Sequence, residues 1–236
     1  MAVRLYESKK YAKSLRLFEK IIPKYRGKPQ MERIQFMVAQ SNFNTSNYNL
    51  AGYHFDRFTK NYPKSSKKEE AAFLSAHSYK LASPRFSLDP VDTKKALNAF
   101  QSFINTYPTS SRIEEANNHY KEIRYKLQKK DFEIAKTYYR TAEYDLRNYK
   151  AAIQAFDNLL GDYLGSEFKE EALFYRLKAA HDLVLKSTQR KKKERIKDAK
   201  KAYTKLKRNF PNSKYLYESN KMLVNLEMEE DELIKI

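Results

Sequence analysis

Small and aromatic residues recur along this chain in one phrase: a small residue, an aromatic ring four positions on, then Tyr or Phe seven further. It reads Ser14/Phe18/Tyr25, Ala51/Phe55/Tyr62-Pro63, Ala96/Phe100/Tyr107-Pro108, Ala152/Phe156/Tyr163 and Ala199/Tyr203/Phe210-Pro211. Positions four apart share one helix face, so the small residue admits a neighbouring helix while the ring fills the space beside it. Proline cannot continue a helix and ends it. After two of the prolines, Ser66-Lys67-Lys68-Glu69 and Ser111-Arg112-Ile113-Glu114 read as restart signals, in which Ser accepts from an orphan N–H and Glu reaches back. Each phrase therefore closes a helix pair. The pattern predicts helices over 1–8, 11–25, 29–45, 48–62, 67–82, 92–106, 110–127, 131–146, 149–161, 167–186, 192–209 and 214–230.

The small residues stand 37, 45, 56 and 47 positions apart. The tetratricopeptide repeat, with a unit of about 34 residues, carries Ala, Phe and Pro in this order in and just after its second helix. The phase matches and the excess is insertion. The fold expected is all-α, a right-handed superhelix of about five TPR-like pairs in a single solenoid over 1–236, with amino-terminal repeats at 1–91 and carboxy-terminal repeats at 92–236. Only four glycines and no Gly/Ser-rich linker interrupt it. Departures from the repeat are a loop at Ser83–Pro90 with two prolines, a less regular middle over 110–146, and a fourth unit that has Leu164 in place of Pro and turns at Gly165-Ser166.

Charge changes the picture in one region. The formal net charge is +18, from 47 Lys and Arg against 29 Asp and Glu. Twelve of those basic residues lie between Lys186 and Arg208, opposed by Glu194 and Asp198 alone. Such a field attracts polyanions whatever the fold. Ile196, Ala199, Tyr203, Leu206 and Phe210 nevertheless follow a helical spacing, which makes them the buried stripe and the lysines the outer face.

Catalytic and ligand patterns are absent. The four histidines, His54, His77, His119 and His181, are scattered over different repeats. Glu115 and His119 share a helix face and could form half of a metal site, but further ligands are not evident along the chain, so no metal and no cofactor are expected. There is no Gly-rich phosphate loop. The pairs Glu69-Glu70, Glu114-Glu115 and Glu170-Glu171 fall at helix starts, where negative charge complements exposed N–H groups. Cysteine is absent, which excludes disulfides and a thiol nucleophile from this segment. No run of about 20 apolar residues could span a membrane. Met1 begins directly in a repeat, which suggests a chain trimmed of an upstream targeting segment. The expectation is a protein that is not an enzyme.

In a tetratricopeptide superhelix the first helix of each unit lines the concave groove. That register points Arg33, Phe36, Gln40, Phe43, Phe73, His77 and Lys80 inward, an aromatic and cationic set suited to an extended peptide with aromatic side chains and a free carboxylate.

Beyond the generic repeat, Phe55-Asp56-Arg57-Phe58-Thr59-Lys60-Asn61-Tyr62-Pro63, Leu17–Ile22, the run from Ala96 to Ser111 and Tyr149–Phe156 resemble the BamD family, TPR lipoproteins of the bacterial outer-membrane β-barrel assembly machinery. The resemblance covers nearly the whole chain. It implies a lipidated cysteine upstream, residence on the periplasmic face of the outer membrane, amino-terminal repeats that receive targeting segments of unfolded outer-membrane proteins, and carboxy-terminal repeats that dock a BamA-like barrel subunit. The docking set so implied is Glu171, Tyr175, Lys178, Asp182, Arg190 and Arg195. The strongly basic fifth unit departs from the family. Two other readings stand beside this one: a TPR adaptor clamping another partner's C-terminal peptide, and a basic nucleic-acid-associated protein.

Overall fold

In the computed structural model, which describes residues 1–234, the chain is all-α and TPR-like. Eleven helices are present among the described residues: α1 (Ala2–Glu7), α2 (Tyr11–Tyr25), α3 (Gln30–Asn44), α4 (Tyr48–Asn61), α5 (Lys68–Ala82), α6 (Val91–Thr106), α7 (Ile113–Thr141), α8 (Arg147–Asp162), α9 (Lys169–Leu185), α10 (Gln189–Asn209) and α11 (Leu216–Ile234). They divide into two compact units, Met1–Leu127 and Gln128–Ile236, with the boundary inside α7.

The repeated phrase is the core. Ser14, Ala51, Ala96, Ala152 and Ala199 are all fully buried, as are Phe18, Phe55, Phe100 and Phe156, while Tyr203 is 8% exposed. Burying each such ring contributes about 1.5–3 kcal/mol. Cores form from successive helices. Phe18 packs with residues of α1 and α3, Phe55 and Phe58 with Ala39 and Ala71 of the flanking helices, and Phe100 and Phe103 with Phe73 and Ile123. In the second unit Phe156 packs against Phe132 and Ala172, and Leu206 against Phe174 and Met222. Every helix pair is thus completed by the next, which is how a stacked repeat buries its apolar face.

The turns between units repeat as closely as the core. Tyr62, Tyr107, Tyr163 and Phe210 end their helices with φ between −122° and −137° and ψ between 60° and 74°. A following proline enforces this at three of them. Tyr163 reaches the same conformation with Leu164 after it, and the turn then passes through Gly165, whose φ of +78° is the left-handed region that glycine enters without a Cβ clash.

Two expectations are corrected here. The serines that satisfy the restarting helices are not Ser66 and Ser111. They stand one position earlier and recur four times: Ser65, Ser110, Ser166 and Ser213 Oγ accept from the N–H of Lys67, Arg112, Phe168 and Tyr215, at 3.0–3.1 Å. Nor does the middle of the chain hold two helices over 110–127 and 131–146. α7 is continuous through Gln128-Lys129-Lys130, where no proline or glycine stops it and where Gln128 is buried with its side-chain oxygen accepting from Ser166 Oγ at 2.8 Å. The expected loop at Ser83–Pro90 is non-helical; its first residue is held by Lys126, which donates to the Ser83 hydroxyl at 2.7 Å.

Candidate binding faces on the first helices

In the first unit α3, α5 and the start of α7 come together through a row of rings. Phe43 meets His77 edge-on at 5.9 Å, and His77 meets His119 at 5.3 Å. Of the residues expected on this face, Arg33 is exposed and reaches Glu7 at 3.4 Å. Phe36 is half-buried, edge-on to Phe55 and Phe58 at 5.7 and 5.4 Å, so its ring belongs partly to the core. Gln40, Phe43, His77 and Lys80 are half-buried. Phe73 is 2% exposed and is a core ring, because Phe100 and Phe103 enclose it and the Arg112 guanidinium covers it at 4.7 Å. It offers nothing to a ligand.

Sequence reasoning missed what α7 adds. Lys80 Nζ lies 2.6 Å from both Glu122 and Nδ1 of His119, and Lys80 holds the Glu122 carboxyl below the usual carboxylate range. Burial pushes the His77 imidazole below its ordinary pKa, and His119 beside it acts the same way. The fold also supplies what chain spacing did not show for Glu115 and His119: His77 arrives from α5, and ligand atoms of His77, Glu115 and His119 all lie within 4.8 Å of one another. The Lys80 ammonium against His119 opposes a dication there, so the cluster reads as a set of polar groups and rings lining the face.

In the second unit the corresponding face joins the end of α7, α9 and α11, and its polar groups are engaged with one another. Glu171 pairs with Lys136 at 3.3 Å, and Lys178 with Glu218 at 2.6 Å. Asp182 accepts from the Tyr139 hydroxyl at 2.7 Å and faces Nδ1 of His181 at 2.8 Å. Burial and that carboxylate push the Tyr139 phenol strongly upward. Tyr175 stacks on Phe156 with Lys136 over its ring at 4.9 Å. Glu171, Tyr175, Lys178 and Asp182 therefore share one surface. Arg190 and Arg195 do not join it, being on α10, where Arg190 is exposed and Arg195 donates to Ser187 Oγ. Lys136, Tyr139 and Glu218 complete the surface and gave no signal along the chain, because each is 35 or more residues from its partner.

Among the described residues no helix is long and apolar enough to cross a membrane. Residues 1–196 match the family described as outer membrane lipoprotein (YfiO), and residues 187–213 match a tetratricopeptide repeat family. A relative, the outer membrane protein assembly factor BamD of Rickettsia prowazekii (strain Madrid E), is 24% identical over 233 residues, spanning 94% of this chain and 82% of its own length. The repeated helix pairs and a family match that takes in all of α1 to α9 agree, and the chain belongs to the YfiO outer membrane lipoprotein family.

Proposed function

We propose that this protein is a non-enzymatic scaffold and receptor in outer-membrane protein assembly, at the periplasmic face of the outer membrane. The BamD relative, an assembly factor by name, supports the process. The observation that carries the receptor role is the row Phe43, His77 and His119 across three first helices, with Lys80 beside His119 and Arg33 exposed farther along α3. Half-buried rings offer apolar area to aromatic side chains of an extended segment, and the cations suit its carboxylate. The ligand class is the C-terminal segment of unfolded outer-membrane proteins. On the second unit, the surface of Glu171, Tyr175, Lys178 and Asp182 is the docking place for a BamA-like barrel subunit. A face whose charges already have partners favours a preorganised, electrostatically complementary interface over capture of a flexible strand.

The test is fluorescence anisotropy with a labelled peptide copied from the aromatic C-terminal strand of an outer-membrane barrel, against a scrambled control. Saturable binding that prefers the native order, and that weakens about tenfold in Phe43→Ala, is expected for an anchor ring in a groove. Arg33→Ala weakens it less, since Arg33 is exposed. Equal affinity for both peptides would remove the receptor role from this face.

A further inference from the structure

Helix α10 carries eleven basic and two acidic residues between Gln189 and Asn209. Seven of its cations fall into two groups by partner. Those turned toward α11 are engaged, Lys192 with Glu229 and Lys200 with Glu230. Asp198, one of the helix's own two carboxylates, is taken by Arg176 of α9 at 2.9 Å. On the opposite side from the buried Ile196, Ala199, Ala202 and Leu206, a second group recurs at steps of four, four, four and three: Lys193, Lys197, Lys201, Lys205 and Arg208. Among the described residues none of these five has a carboxylate partner. With Lys200, Thr204 and Glu230, the last already paired with Lys200, they line a shallow depression of about 590 Å³.

Like charges four apart on a helix repel. The arrangement therefore costs stability and returns nothing inside the molecule, whereas an external array of anions would relieve it. The stripe runs about 22 Å, at a rise of about 1.5 Å per residue. Its chemistry narrows the partner. Four of its five cations are lysines, compact charges without the planar fork that reads a single phosphate bidentately. No aromatic ring lies among the residues of the depression, so the stacking platform of a single-strand nucleic-acid site is missing. Clusters of about four to eight basic residues along one helix face suit a negatively charged membrane surface.

We propose that this stripe of α10 holds the protein against a membrane by the phosphate groups of anionic lipid headgroups. The binding is electrostatic and needs no inserted apolar anchor. It is independent of the peptide face in the first unit, so either can fail alone.

The experiment is co-sedimentation of the full chain with phosphatidylcholine vesicles containing about one third phosphatidylglycerol, against pure phosphatidylcholine, at about 0.15 M salt where screening extends over about 8 Å. Binding to the anionic vesicles alone is expected, and the triple variant Lys197→Glu, Lys201→Glu, Lys205→Glu lowers partitioning at least tenfold with helical content unchanged. The corresponding Lys→Arg triple keeps it. An equal charge change on α2, Lys13→Glu, Lys20→Glu, Lys24→Glu, all exposed positions, leaves it within about twofold by the same screening argument. Equal loss in the α2 variant would reduce the effect to net charge and overturn the proposal. So would binding to neutral vesicles, or an α10 Glu triple that binds as well as the parent chain. Displacement from the vesicles by inorganic phosphate, or by a single-stranded oligonucleotide at much lower phosphate concentration than the lipid, would make the stripe a free-phosphate or nucleic-acid site and also overturn it.

Discussion

The pairs α4–α5 and α8–α9 are built on the same text and end with different surfaces. Ala51, Phe55 and Tyr62 correspond to Ala152, Phe156 and Tyr163; Lys68-Glu69-Glu70-Ala71 corresponds to Lys169-Glu170-Glu171-Ala172; and Phe73 corresponds to Phe174, both nearly fully buried. Between these fixed points the residues diverge in matched sets. Gly52 faces Tyr79, whose ring comes within 2.8 Å of where a Cβ would stand, whereas the second pair has Ile153 against Ala180. Ser75 donates to the Gly52 carbonyl at 2.9 Å, whereas Arg176 in its place reaches Asp157 and Asp198. His77 sits among rings, whereas Lys178 pairs with Glu218. Small residues and rings hold the frame, and what covers the frame is exchanged in groups that keep volume and charge balanced.

If the frame is equivalent in the two pairs, it should break equally. Phe55→Ala and Phe156→Ala each remove a fully buried ring and should each cost about 3–5 kcal/mol. Because the chain has two units, a single melting midpoint is a poor readout. Hydrogen exchange read by mass spectrometry separates amides of α4–α5 from those of α8–α9. Losses differing by more than the span given would show that the two frames are not the same object.

The polar substitution should separate them. Arg176 is 12% exposed in its side chain and bonds two carboxylates that are themselves 38% and 45% exposed. Arg176→Ala should cost about 2–3 kcal/mol, the range for hydrogen bonds to charged groups. Ser75→Ala at the matching position should cost only about 1 kcal/mol, one neutral bond. A smaller loss for Arg176 than for Ser75 would mean that desolvation of the guanidinium already cancels its pairing.

The volume exchange is tested by moving it. Gly52→Ile places a side chain against the Tyr79 ring and should destabilise α4–α5 by about 1–2 kcal/mol, at the lower end of overpacking because Tyr79 is half-buried and can shift. Adding Tyr79→Ala, which recreates the Ile153 and Ala180 combination, should recover at least half of that loss. Additive losses instead would show that the two positions are not coupled.

The difference between frame and covering is also the difference between what the sequence discloses and what it withholds. Ser14, Phe18 and their four counterparts were legible because a helix repeats within a few residues, so contacts across one helix face are written locally. The turn serines were written as plainly, three positions after Tyr62, Tyr107, Tyr163 and Phe210, but a capping-box pattern drew attention to the next residue. Phe73 could not be separated from Phe43 by register alone, since both lie on first helices and only packing from Phe100 and Phe103 decides which is covered. The partners Lys136, Tyr139 and Glu218 come from helices one repeat away, and His119 reaches Lys80 across 39 positions. Such pairings depend on how one repeat stacks on the next, which no spacing within a repeat records.

The smallest expected effect lies in pH, and it should weigh more on one pair than on the other. Burial lowers the pKa of His54, with Arg57 adding to it, and lowers that of His77, with His119, Lys80 and Arg112 acting the same way and Glu115 against. Unfolded, both imidazoles take up a proton near the ordinary value of 6.5. Folded, they resist it, so the unfolded chain binds more protons as pH falls through 6.5 and stability drops until the lower folded values are passed. Where α5 has His77, α9 has Lys178 instead of a histidine. Acidification from neutrality toward pH 5.5 should therefore loosen exchange protection in α4–α5 more than in α8–α9, and His77→Gln should shrink the gap without closing it, because His54 remains. Equal loosening of both pairs would place the proton uptake elsewhere and leave the exchange of His77 for Lys178 as a matter of packing and binding alone.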